Sequence, residues 1–118
     1  MRRILLVEDD PELRLLVEHV LLDADYEVDV GETLVDGCLR LEQAAYDLVV
    51  ADARLADGSG FVLARLAQAK GVAAIIMTGY AFVLNDPALD MSRYDVLLKP
   101  ITPEELLTSI ANAFKERS

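Results

Sequence analysis

The chain has 118 residues, 53% of them hydrophobic and 27% charged, and a formal net charge of −10. That length makes one domain, residues 1–118, able to bury a real core. The acidic balance argues against direct binding to nucleic acid, whose phosphates demand a basic surface. It suits basic partner surfaces or a metal ion, or simply keeps a small protein soluble.

The single cysteine, Cys38, has no partner for an internal disulfide. It sits in the apolar pattern Leu34, Val35, Cys38, Leu39, which reads as a packed thiol rather than a nucleophile. Met1-Arg2-Arg3 leads into a short apolar run, so neither a signal peptide nor a membrane span is expected, and a cytoplasmic location is inferred.

In chain order, Arg3 to Val7 reads as a first strand. Asp10-Pro11 opens a helix, with Asp suited to the N-cap and Pro to the first helical position. Leu13, Leu16, Val17, Val20 and Leu21 keep helical spacing to about Ala24. Tyr26 to Val30 alternates as a short strand, Thr33 to about Ala44 is a second helix, and Leu48 to Ala51 is a central strand ending at Asp52. The loop Ala53 to Ser59 carries an Asp57-Gly58 turn signal. A third helix runs from Gly60 or Phe61 to about Lys70, and Ala73 to Met77 is a fourth strand ending at Thr78-Gly79. Tyr80 to Arg93 has Asn85-Asp86-Pro87 at its middle, and Pro disfavours a helical residue before it. A short or broken fourth helix is expected there. Asp95 to Leu98 is a fifth strand. Thr102-Pro103-Glu104-Glu105 is a capping box with Pro at the first helical position, opening a last helix through Leu106, Leu107, Ile110 and Phe114.

Strands and helices alternate throughout. Right-handed crossovers then give an α/β fold, a doubly wound five-stranded parallel sheet of flavodoxin-like order 2-1-3-4-5. In such a sheet, ligand-binding groups gather at the carboxyl ends of the strands. Glu8 and Asp9 follow the first strand, Asp52 ends the third, and Lys99-Pro100 follows the fifth. Clustered carboxylates repel one another, and a hard divalent cation such as Mg2+ relieves that repulsion through oxygen ligands.

With these residues in place, the chain resembles the response-regulator receiver domain of two-component signalling (CheY-like) over essentially its whole length. The matching pieces are Ile4 to Asp10, Asp47 to Asp52, Asp57 to Gly60, Ile75 to Gly79 and Leu97 to Pro100. The resemblance implies that Asp52 is the phosphoacceptor, attacking a phosphohistidine on a sensor histidine kinase or histidine phosphotransferase. It implies that Asp9 ligates Mg2+ directly, Glu8 through water, and the Arg54 backbone carbonyl completes the protein's share. Lys99 would pair with phosphoryl oxygens, the Thr78 hydroxyl would donate to one after transfer, and the Lys99-Pro100 bond would be cis. Such a protein is not an enzyme in the ordinary sense, since it catalyses only its own aspartyl phosphorylation and dephosphorylation. Phosphorylation would change the face that binds a partner, about Tyr80 to Ser118. A monomer or weak dimer fits, and no direct nucleic-acid or membrane contact is expected.

Blander roles stand beside these. Asp10 reads as a helix cap rather than a ligand, His19 as a surface or packed histidine rather than a phosphoryl carrier, and Tyr80, Phe82 and Tyr94 as packing residues.

Three departures from the family pattern stand out. The aromatic usual three positions before the lysine is Val96, with Tyr94 two residues earlier on the same strand face. The proline usual four positions after the phosphoacceptor is Ala56. The fourth-helix region carries Pro87. Ser118 closes the sequence directly after the last helix, as in a stand-alone receiver or a piece of a larger regulator or hybrid kinase. The chain looks similar to some single-domain receivers that lack the switch aromatic, including proteolysis-adaptor types. Two other readings remain: a pseudo-receiver that binds partners without phosphorylation, and a small phosphohydrolase or flavin-binding enzyme on the same architecture. Against the latter, Arg54 stands where a second acid is needed, and no Gly- or Ser/Thr-rich phosphate loop follows the first strand.

Overall fold

The computed structural model describes residues 1–79 and 94–117. Five strands, β1 (Arg3–Val7), β2 (Glu27–Gly31), β3 (Leu48–Asp52), β6 (Ala73–Thr78) and β7 (Asp95–Leu98), form one sheet in the order β2-β1-β3-β6-β7. Every pairing in it is parallel. This is the predicted five-stranded order. It is joined by a small antiparallel hairpin, β4 (Arg54–Leu55) with β5 (Gly58–Ser59). The helix expected over 80–93 lies outside the described residues, with Tyr80, Phe82 and Pro87.

Period-2 alternation divides the strand residues between two cores. Leu5, Val7, Val49, Ala51, Ala74 and Ile76 face α2 (Leu34–Gln43) and α3 (Gly60–Ala69), packing with Leu41, Phe61, Leu63 and Ala67. Ile4, Leu6, Leu48, Val50, Ile75 and Met77 face α1 (Pro11–Asp23) and α4 (Pro103–Arg117), packing with Val17, Leu21, Leu106, Ile110 and Phe114. The central strand β3 is buried along its whole length, which is why it carries no polar residue before Asp52.

Not every apolar position faces inward. Leu16 is 52% exposed and Val35 62%, so on α1 and α2 the core is met by Val17 and Leu21, and by Gly37 and Leu41. α2 comes close to the sheet at Gly37, where a Cβ would lie 2.8 Å from the Val7 side chain. Leu98 is 44% exposed because β7 is the last strand of the sheet rather than an interior one.

The register sets the height of each strand end. Val7 pairs with Gly31 and Ala51, Asp52 with Met77, and Thr78 with Leu98. Glu8 therefore emerges level with Asp52, with Thr78 one residue and Lys99 two residues further along the same edge. Two helix caps are those the sequence announced, Asp10 accepting from the Glu12 N–H and Thr102 from Glu105, and Thr33 adds a third by accepting from Asp36.

Candidate functional site

Glu8 leaves β1 with no exposed surface. Its backbone is pinned on both sides, its N–H to the Gly31 carbonyl at 3.2 Å and its carbonyl by Arg14 Nη1 at 3.1 Å. Its carboxylate accepts from the Asp10 N–H through Oε2 at 3.2 Å and from Lys99 Nζ through Oε1 at 3.1 Å. Asp52 is also buried; Lys99 Nζ reaches its Oδ2 at 2.9 Å, and the Arg54 N–H approaches Oδ1 at 3.3 Å. One ammonium thus bridges two carboxylates, one from each neighbouring strand. Asp9 is exposed and its Oδ2 accepts from the Ala56 N–H at 2.9 Å. An oxygen from each of Glu8, Asp9 and Asp52 lies within 4.8 Å of the others.

Lys99 is placed by its own main chain. Its N–H donates to the Thr78 carbonyl at 2.8 Å, and the Lys99-Pro100 bond is cis. Thr78 is fully buried at the end of β6, beside Asp52 across the sheet. The loop after Asp52 turns back tightly. The Ala53 N–H bonds to the Met77 carbonyl at 2.8 Å and the Gly60 N–H to the Ala53 carbonyl at 3.0 Å. A side chain at Gly60 would collide with the Asp52 carbonyl, so only glycine lets α3 start this close to the acid.

A family model, the response regulator receiver domain, matches residues 4–111. The chain belongs to the response regulator receiver family. The receiver is 31% identical over 113 residues to the response regulator receiver protein CpdR of Brucella abortus, with 93% of this chain and 94% of that protein covered. It spans about half or less of the length of several other curated relatives, among them transcriptional regulators. A response regulator receiver protein of Sinorhizobium medicae superposes at a TM-score of 0.91 with 27% identity, covering 99% and 97% of the two chains. The response regulator TrrA of Thermotoga maritima, solved in complex with Mg2+–BeF, gives 0.86 with 26% identity, covering 96% of this chain and 99% of that one.

Electrostatics in the receiver follow from this packing. Burial is the largest influence on Glu8 and pushes its pKa up to about 7. The Asp10 N–H and the Lys99 ammonium pull the other way, and contact with Asp52 adds to the rise. For Lys99, burial alone would favour the neutral amine, but hydrogen bonds to Asp52 and Glu8 outweigh it and raise its pKa above the ordinary 10.5. The lysine stays charged and offsets part of the carboxylate repulsion. The chemistry of the donor set, three hard carboxylates converging on one edge, fits a small divalent cation.

The receiver brings together the side chains of Glu8, Asp9, Asp52 and Lys99 and sets Thr78 at the end of the adjoining strand. It places Asp10 in a cap, leaves His19 exposed, and holds Cys38 half-buried with its thiol pKa raised by burial. Tyr94 and Val96 pack on the same face of the sheet, and the Tyr94 ring meets Phe61 edge-on at 5.6 Å. Sequence reasoning missed Arg14 and the Ala56 N–H. Arg14 follows Asp10 by four positions, the helical spacing that puts it on the turn above the strand end; the Ala56 contact leaves no sequence signal.

Proposed function

We propose that this chain is a phosphoacceptor receiver, with Asp52 as the nucleophile. The observation that carries this is the Lys99 ammonium held between Asp52 Oδ2 and Glu8 Oε1 at 2.9 and 3.1 Å, with Asp9 completing the acidic cluster. Phosphoryl transfer is mainly positioning and charge neutralisation, and these groups supply both. A carboxylate oxygen of Asp52 attacks the phosphorus of a kinase or phosphotransferase phosphohistidine. The P–N bond breaks, its electron pair leaves with the imidazole, and an acyl phosphate forms. Lys99 pairs with a phosphoryl oxygen, and the buried Thr78 hydroxyl donates to another.

Glu8, Asp9, Asp52 and the Arg54 carbonyl would hold Mg2+, which supplies positive charge to the transferred group. The Mg2+–BeF complex of TrrA supports this choice of ion. The acyl phosphate is labile, as suits a reversible signal, and no other substrate is turned over. Its added charge and acceptor oxygens reshape the edge around Thr78, and the altered surface from β7 through α4 docks a partner protein in the cytoplasm. Among the described residues no helix is long and apolar enough to cross a membrane. Tyr94 takes over the packing that an aromatic at position 96 would provide.

Intact mass after incubation with Mg2+ and acetyl phosphate or phosphoramidate tests the proposal. Wild type gains one phosphoryl group only with Mg2+, and Asp52→Asn gains none. A folded wild type that takes up no phosphate and consumes no donor is instead a pseudo-receiver, a binding module that keeps the acidic cluster without the chemistry.

A further inference from the structure

Each carboxylate of the cluster has its own restraint. Glu8 is held by Lys99 and the Asp10 N–H, and Asp52 by Lys99 and the Arg54 N–H. Asp9 is the exposed member, and the like charge of its two neighbours opposes its staying beside them. The group that meets it is the Ala56 N–H, 2.9 Å from Oδ2 and 47 residues away in sequence. Ala56 and Asp57 form the two-residue turn between β4 and β5.

We propose that the main-chain N–H of Ala56 is a positioning group for the metal site, holding the Asp9 carboxylate beside Glu8 and Asp52 so that a divalent cation meets the three acids already assembled. The inference rests on the metal-binding reading above. A carboxylate oxygen that accepts one N–H keeps lone pairs for a metal, and its partner oxygen keeps all of its own. The tether therefore persists in the loaded site and orients the ligand, as outer-shell hydrogen bonds do elsewhere. It also depends on residue 56 not being proline, because proline has no N–H to give. A proline at this position would remove the donor, so the tether depends on the alanine that this chain carries there. Ala56 has a negative φ, Asp25 being the described non-glycine residue with a positive one. A negative φ admits proline at the turn, where its ring deletes the donor and puts Cδ in the place of the hydrogen that meets Asp9.

Isothermal titration calorimetry with Mg2+ on wild type, Ala56→Pro and Ala56→Gly tests this, with thermal unfolding in EDTA as the fold control. Ala56→Pro is expected to bind about tenfold more weakly. Ala56→Gly keeps the N–H and stays within a factor of about two of wild type. A proline variant that binds as tightly as wild type, or more tightly, overturns the proposal. NMR on the wild type decides it even where the proline variant fails to fold. The Ala56 amide proton should stay downfield and slow to exchange through the Mg2+ titration, and its release on metal binding overturns the proposal. A wild type that binds no Mg2+ overturns the parent reading along with it, and that result needs no variant.

Discussion

Glu8 is a carboxyl group without exposed surface, and its protonation links the site to pH. Its folded pKa is about 7, against 4.5 for an ordinary glutamate, because burial penalises the charged form. Between those two values the folded protein holds a proton that the unfolded chain has released. Glu8 therefore contributes stability fully below about 4.5, and that contribution is lost as the pH rises through about 7. In EDTA, the urea midpoint of wild type should fall across this window relative to Glu8→Gln, which has no proton to lose. Parallel midpoint curves for the two proteins would sink the argument. A metal ligand must be deprotonated, so Mg2+ affinity should rise over the same window, and binding below about pH 7 should release a proton into weakly buffered solution.

The hairpin β4–β5 extends the reach of single residues to whole elements. Asp57, at its tip, accepts from the N–H groups of Leu34 at 2.8 Å and Val35 at 3.0 Å. With Thr33 holding the Asp36 N–H, the first turn of α2 is capped partly from a loop distant in sequence. The hydrogen bond from Leu34, then that from Val35, lowers the Asp57 pKa below its ordinary 3.8. The stability it confers is therefore present above 3.8 and is lost as the pH falls through the lowered folded value. Asp57→Ala should lower the melting temperature at neutral pH by circular dichroism, and the deficit should shrink in acid. Thr33→Ala should show a deficit that does not shrink, since a hydroxyl does not titrate there. An acid-insensitive deficit for Asp57→Ala would mean that the side chain acts through the turn rather than through its charge. This cap also marks the limit of what the sequence discloses. Apolar runs make four of the sheet strands readable and alternation the remaining one, β2, and the acids and lysine at the strand ends make the site readable, because register follows from burial. The hairpin strands are two residues each, too short for any period. Asp57 was visible as a turn residue, but its partners lie 23 and 22 positions away. Leu16, Val35 and Leu39 share the apolar helical spacing of the residues that reach the core. Their exposure shows that a helix stripe can be wider than the face it buries. Parity put Tyr94 on the face of Val96, yet its contact with Phe61 is a tertiary fact.

The molecule as a whole carries a net charge of −10, and two different fields act on its stability. Diffuse repulsion among surface carboxylates is long-ranged and is screened by any salt, with a Debye length of about 10 Å at 0.1 M. The cluster at the sheet edge is local. Lys99 bridges Glu8 and Asp52, which leaves Asp9 as the carboxylate outside that ion-pair bridge. Added NaCl should therefore raise the melting temperature of wild type and Asp9→Asn alike. Without metal, Asp9→Asn should melt above wild type, because it loses one of three mutually repelling acids. Mg2+ at matched ionic strength should then raise wild type further and add almost nothing to Asp9→Asn. Above the dissociation constant, each tenfold increase in Mg2+ should contribute about 1.4 kcal/mol to wild type by mass action. Thermal melts at fixed ionic strength with Na+ exchanged for Mg2+ separate the two fields. If the wild-type curves coincide in the two salts, the three acids feel Mg2+ only as screening, and the edge is no metal site. If they diverge for wild type and coincide for Asp9→Asn, the same charge that destabilises the empty protein is what gives the filled one its affinity.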